Sequence, residues 1–335
     1  MSQRSPRALA AALLLTLAWS GPADAGRKRQ EAPAPEPVSA PAPTDPASGD
    51  VSASVGATLG NMSMTAETRL LEAGAEPRAE LRLHPVAGQS EQVDMVMNMQ
   101  MSMTMMGQIQ QVQLPPVVMA MRVNVTQVFE DGSFAAETRL QSVRIEDDGQ
   151  AAPDLVASLR QSMSGMEGMN IWAHMSTRGQ ALESRASVPD DPSLSASVNS
   201  FQQNVAQAQV LLPEEPVGVG AKWSTTSKVN SNGVLMDATT TYTLRERQGD
   251  TIGLDVAIDM AVDTSQPVSP VPGVTFTFKE FSGRGAGKVS WDLGHLMNRS
   301  TLGETMHLVL EGSQGSQTMT MGMDMGVKLE VKDPQ

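Results

Sequence analysis

The sequence predicts a mainly β fold of the α+β kind: a curved antiparallel sheet or half-barrel of about a dozen strands, with two amphipathic helices packed on it. Three observations predict it. Methionine recurs at every second position from Met95 through Met97, Met99, Met101 and Met103 to Met105, and again at Met319, Met321, Met323 and Met325. Apolar residues alternate in segments of strand length that short turn signals separate, which favours antiparallel pairing. Two mid-chain stretches switch to the 3.6-residue spacing of amphipathic helices.

The N-terminus reads as an export signal. Arg4 and Arg7 precede an apolar run from Ala8 to Trp19 that is too short to cross a bilayer. Ala23-Asp24-Ala25 has the small-x-small form of a cleavage site. Residues 1–25 are therefore expected to be a signal peptide, and the mature chain to begin at Gly26 in the periplasm, the cell envelope or the extracellular space. Residues 26–55 are expected to form a disordered Pro/Ala-rich linker, because Pro33, Pro35, Pro37, Pro41, Pro43 and Pro46 alternate with small and polar residues that have little apolar surface to bury. Residues 56–335 read as a single β-rich domain. No later apolar run is long enough to span a membrane.

Within that domain, the Met95–Met105 segment puts its thioethers on one face, because neighbouring side chains of an extended chain point to opposite sides. Met119, Met121, Val123 and Val125 alternate up to Glu130-Asp131-Gly132-Ser133, a hairpin turn signal. Phe134 to Ile145 is the return strand, with a phase break between Leu140 and Val143 that predicts a bulge. Leu155, Leu159, Met163 and Met166 follow Pro153 at helical spacing and predict a helix over about 153–167. Asp191-Pro192 opens a second predicted helix over about 192–212, with Leu194, Val198, Phe201, Val205 and Leu212 on its apolar stripe. A second hairpin runs from Val234 to Leu244, turns at Arg247-Gln248-Gly249-Asp250, and returns with Ile252, Leu254, Val256, Ile258, Met260 and Val262 facing inward. Asp255, Asp259 and Asp263 on the opposite face fix its register, since a slip of one residue would bury them. The likeness of the two hairpins hints at two related halves. The last third is a meander: Val289, Trp291 and Leu293; then Leu302, Met306, Leu308 and Leu310 with Glu304 interrupting; a turn at Gly312 to Gly315; and Met319 to Val331.

The chemistry that the chain lacks narrows its function. It has no cysteine, so disulfides, thiolate metal sites and cysteine nucleophiles are absent. The net charge of −13, without a basic stripe, argues against nucleic acid as a partner. His84, His174, His295 and His307 show no zinc-motif spacing. Gly283-Arg284-Gly285-Ala286-Gly287-Lys288 looks like a phosphate loop but lacks the first glycine and the following Ser or Thr, and reads better as a glycine-rich strand start or bulge. No catalytic residue, metal ligand set or cofactor is expected. A membrane barrel lacks its aromatic girdles, as the chain has a single tyrosine and four tryptophans.

The methionine face has three readings. It is a packed core; it is an adaptable apolar groove for a lipid, an acyl chain or another hydrophobic ligand; or it binds Cu(I) or Ag(I) through M-x-M thioethers. The candidate ligand-binding residues are Met95, Met97, Met99, Met101, Met103, Met105, Met119, Met121, Met319, Met321, Met323 and Met325. The expected role is non-enzymatic binding of a hydrophobic ligand or apolar partner. Metal binding and a passive structural domain are the alternatives.

The signal, the segment Val93 to Gly107, the hairpin through Asp131-Gly132, and Val217-Gly218-Val219-Gly220-Ala221-Lys222-Trp223 together resemble a family of uncharacterised exported bacterial proteins, over about Gly56 to Val331. The resemblance implies an exported β-rich domain with no known activity. The predicted architecture is also similar to the half-barrel of periplasmic lipoprotein and lipid carriers, at the level of fold alone.

Overall fold

The structure is a computed structural model that describes residues 67–105, 107–147, 149, 151–187, 210–231, 234–264, 268–271, 274–314 and 317–334. The expected signal peptide and linker lie outside the described residues, as does the greater part of the second expected helix. In chain order the elements are β1 (Glu67–Glu72), β2 (Ser90–Met105), β3 (Gln108–Gln113), β4 (Val117–Val128), β5 (Phe134–Ile145), α1 (Pro153–Ser164), β6 (Asn170–Met175), β7 (Ala181–Ser187), β8 (Lys222–Ser231), β9 (Val234–Gln248), β10 (Thr251–Val262), β11 (Val268–Val271), β12 (Val274–Asp292), β13 (Arg299–Gln314) and β14 (Gln317–Lys332).

All fourteen strands belong to one antiparallel sheet in the order β1-β8-β9-β10-β12-β13-β14-β2-β4-β5-β6-β7, with β11 paired to β12 and β3 to β2. The sheet is unclosed: β1 and β7 are its outer strands. It is also strongly curved. Val123, Val125 and Phe134 from β4 and β5 share one packed cluster with Trp223, Leu244, Ile252 and Trp291 from β8, β9, β10 and β12, although several strands separate the two groups in the sheet. The apolar face therefore curls back on itself, and the methionine face is the concave one.

Both predicted hairpins form. Between β4 and β5, Asp131 and Gly132 turn the chain, with Gly132 at φ 81°, where a side chain would be strained. The predicted bulge is present: Ala120 faces Ser142 and Met121 faces Leu140, so Gln141 is the extra residue. Between β9 and β10, Leu244 faces Leu254, Tyr242 faces Val256 and Met236 faces Val262, the expected register. The Gly283–Lys288 segment lies inside β12 in an unbroken ladder with β13, and the register shift of that pair falls at Phe278 and Glu280 instead. β13 runs past Gly312 to Gln314, so Gly312 belongs to the strand and not to the expected turn, and Gly315 lies outside the described residues.

One helix is described. Pro153 occupies its first turn, and Gly165 follows its end at Ser164, three residues short of the expected boundary. Val156, Leu159 and Met163 are buried as the spacing predicts. The end of the second expected helix is corrected. Val210, Leu211 and Leu212 are buried but not helical. Their backbone is engaged elsewhere: the Leu212 N–H donates to the Arg178 carbonyl at 3.0 Å, and the Leu211 carbonyl accepts the Trp223 Nε1–H at 2.9 Å. Pro213 also disfavours helical geometry at Leu212.

Three packed clusters fill the concave side. The first, at one end of the trough, is plugged by Leu81, Leu83, Leu212 and Val217, which are connecting segments and not sheet. Burial there pushes the Tyr242 hydroxyl up to about 12. The second packs α1 and Met166 and Met169 onto Met119, Met121 and Leu140. The third, at the far end, joins Met101, Met103, Met321 and Met323 to Phe276, Phe278, Leu308 and Leu310.

Candidate functional site

The pairing of β14 with β2 brings the two methionine runs side by side, a relationship that spacing alone does not reveal. Met321 stands opposite Met105, Met323 opposite Met103, and Met325 opposite Met101. On the other side of β2, Met95 stands opposite Met119, with Val93 opposite Met121. Directly opposed residues lie on the same face, so the two runs form one thioether surface. Met319, at the start of β14, faces Gly312 of β13.

That surface is not uniform. Met101, Met103, Met119, Met121, Met321 and Met323 are buried core residues. Met95, Met97, Met99, Met319 and Met325 are half-buried. Met95 packs against the helix-side cluster and Met325 against the far-end cluster. The centre differs: Met97 faces Leu329 and Met99 faces Val327, all four are half-buried, and none belongs to any of the three clusters. Across β13 and β12 the same strip continues with Leu302, Glu304 and Ile258.

A stripe of glycines lies beside it. Gly283, Gly285 and Gly287 of β12 point to the concave face opposite Met306, Glu304 and Leu302. A Cβ on Gly287 would collide with the Thr301 carbonyl and the Leu302 side chain, and one on Gly283 would lie 2.9 Å from Met260 Cβ. Neighbouring groups thus pack directly on the glycine backbone, which is why no side chain fits at these positions.

A depression of about 700 Å³ lies on the opposite, outer face. Gln100, Ser102, Gln111, Gln113, Arg284 and His307 line it, with Met101, Met306 and Met325 alternating between them along the strands. Its lining is mixed, and its polar side chains lie on the face opposite the thioether strip.

Each histidine meets a polar or acidic partner that the sequence spacing does not reveal, because the pairs form across strands and loops. His84 Nε2 lies 3.3 Å from Asp250, and His295 Nδ1 lies 3.4 Å from Glu91. The Glu91 carboxylate also accepts the backbone N–H groups of Leu296 and Met297 at 2.8 and 3.2 Å, so its work is to anchor that loop. His307 Nδ1 bonds Asp324 at 2.6 Å, with Glu280 3.7 Å from Nε2. The bond to Asp324 raises the His307 pKa above the ordinary histidine value.

His174 Nε2 lies 3.0 Å from Ser133 Oγ. The single hydroxyl proton of Ser133 is donated to Asp131 at 2.6 Å, so the imidazole donates to Ser133 Oγ and does not activate it. That same bond holds the Asp131 carboxyl below its ordinary pKa. The trio therefore fixes the hairpin turn. Among the described residues, no three His, Asp or Glu side chains gather as a metal site. No helix among them is long and apolar enough to cross a membrane.

The family comparison falls on this sheet. Residues 161–295 match the model of a family of unknown function (DUF6263). The matched span runs from the end of α1 through β12, and it includes the Val217–Trp223 segment, the second hairpin and the glycine stripe. No curated protein matches the chain. Both methionine runs lie outside the matched span.

Proposed function

We propose that the protein is a non-enzymatic, exported binding domain that holds a hydrophobic ligand, a lipid or acyl chain, against the thioether strip of its concave face. The observation that carries this reading is the central group of Met97, Met99, Val327 and Leu329. Four apolar side chains lie side by side on a curved face, half-buried, between clusters that are otherwise packed. A patch of this kind is where an apolar guest gains contact area without displacing core side chains. Unbranched thioethers suit guests of varied shape.

Native mass spectrometry of the full chain purified from its own envelope tests the reading, together with titration of a neutral fluorescent acyl probe. Recovery with a bound lipid, and saturable probe binding that Met97→Lys abolishes, is the expected result. Repeated recovery without lipid and no probe binding overturns it. N-terminal sequencing of the exported form is expected to start at Gly26.

A second reading is favoured by one feature, the opposed thioether pairs Met95/Met119, Met101/Met325 and Met103/Met323. Two or three thioethers suffice for Cu(I) or Ag(I). Burial of Met101, Met103 and Met323 in a packed cluster weighs against ion entry. An anaerobic Cu(I) titration decides: failure to compete with a chelator of micromolar affinity removes metal binding. Negative results in both tests leave a structural domain.

A further inference from the structure

Among the described residues, Glu304 is the one acid set among the apolar side chains between Met99 and Ile258. β13 presents Leu302, Met306, Leu308 and Leu310 to the concave side, and Glu304 falls in the same phase. The register sets it between Gly285 of β12 and Val327 of β14, with Ile258 beyond Gly285. Its Cγ lies 2.8 Å from the place that a Cβ on Gly285 would take, so the side chain lies over bare glycine backbone. The nearby cations are in the opposite phase: Arg284 pairs with Thr305, Lys288 with Thr301, and Lys328 with Gly303, which puts all three on the outer face. Among the described residues, no cation or hydrogen-bond donor reaches the Glu304 carboxylate. Burial alone raises its pKa. An acid held this way costs stability that a leucine at the same position would not.

We infer that Glu304 is the head-group subsite of the groove, and that the ligand is an amphiphile with a cationic head on an apolar tail, a long-chain amine. The inference rests on the apolar-groove reading above and narrows its ligand class. The head binds Glu304 through a charge-assisted hydrogen bond in a partly dry site. The tail crosses β14 to β2 along Val327 and Met99, a span of two strand spacings, roughly 10 Å. The bare backbone at Gly285 lets the Glu304 side chain lie flat across β12, where a Cβ would push it away.

The test is displacement of a neutral fluorescent amphiphile from the full chain by dodecylamine, dodecanol and dodecanoate, at a pH where the amine is charged. The amine is expected to displace at about tenfold lower concentration than the alcohol, with the carboxylate weakest. Glu304→Gln is expected to bring amine and alcohol to within about twofold of one another, while Glu304→Asp, which keeps the charge, retains the preference. Equal displacement by amine and alcohol in the unaltered protein overturns the inference and needs no variant. So does an amine preference that survives Glu304→Gln. Failure of all three amphiphiles to displace the probe sinks the groove reading itself.

Discussion

His307 and Asp324 sit directly opposite one another on β13 and β14, and their side chains close to a 2.6 Å bond on the outer face of the sheet. The bond raises the His307 pKa, with Glu280 adding to the effect. A raised folded pKa adds stability that is fully present below the unfolded value, about 6.5, and is lost as pH rises through the folded value. In an NMR titration, His307 is expected to titrate above the free-histidine value, and Asp324→Asn to bring it down. The pair is solvent-screened, so the gain in overall stability is small. A His307 that titrates at the ordinary value counts against the bond.

The turn at Asp131 has the opposite sign. Hydrogen bonds from the Ser133 hydroxyl and N–H depress the Asp131 pKa. The stability they add is present above the ordinary carboxylate range and is lost as pH falls through the depressed value. Ser133→Ala is expected to return the Asp131 carbon resonance toward the ordinary titration midpoint. The same variant takes away the partner of His174 Nε2, so the imidazole signal moves as well.

Core and groove methionines separate by truncation. Met323 is 1% exposed among Phe276, Phe278 and Leu310, so Met323→Ala leaves a cavity and is expected to cost about 2–5 kcal/mol in a urea melt. Met97→Ala removes a half-buried side chain outside any cluster and is expected to cost less than about 1 kcal/mol. The probe affinity should fall for Met97→Ala while the melt barely moves. Equal costs at both positions would mean that the strip is ordinary core.

Gly218 answers to sterics. A Cβ there would run into the Ala75 carbonyl, while the Gly218 N–H donates to the Ala73 carbonyl at 3.0 Å. Gly218→Ala is expected to destabilise by about 3 kcal/mol, since backbone and not a flexible side chain must yield. Gly220→Ala meets nothing within 4 Å and is strained only by its φ of 89°, so a cost of about 1 kcal/mol is expected. Thermal unfolding of the two variants should rank them in that order.

The alternation of residues carried most of the fold. The faces of β2 and β14, both hairpins and the bulge at Gln141 follow from period-two spacing and turn chemistry, which are local. Three features escaped it. Leu212 reads as the end of a helical stripe, but its backbone and that of Leu211 bond segments far along the chain. Gly312 reads as a turn, but β12 holds it in the ladder opposite Phe276. Glu304 reads as an interruption of a strand pattern, and only the register against Gly285 and Val327 shows an acid inside an apolar strip. Contacts across strands decide these cases, and spacing within one strand does not carry them.

A surface built from thioethers is also a target for peroxides. Oxidation to the sulfoxide turns a soft apolar group polar and chiral, and the reaction follows access. Met97 and Met99, open at the middle of the trough, would take oxygen before Met103, Met321 or Met323, which their neighbours shield. The trough would then become wettable at its centre while its two ends stayed dry. Methionine sulfoxide reductase could reverse that change without the domain having to unfold.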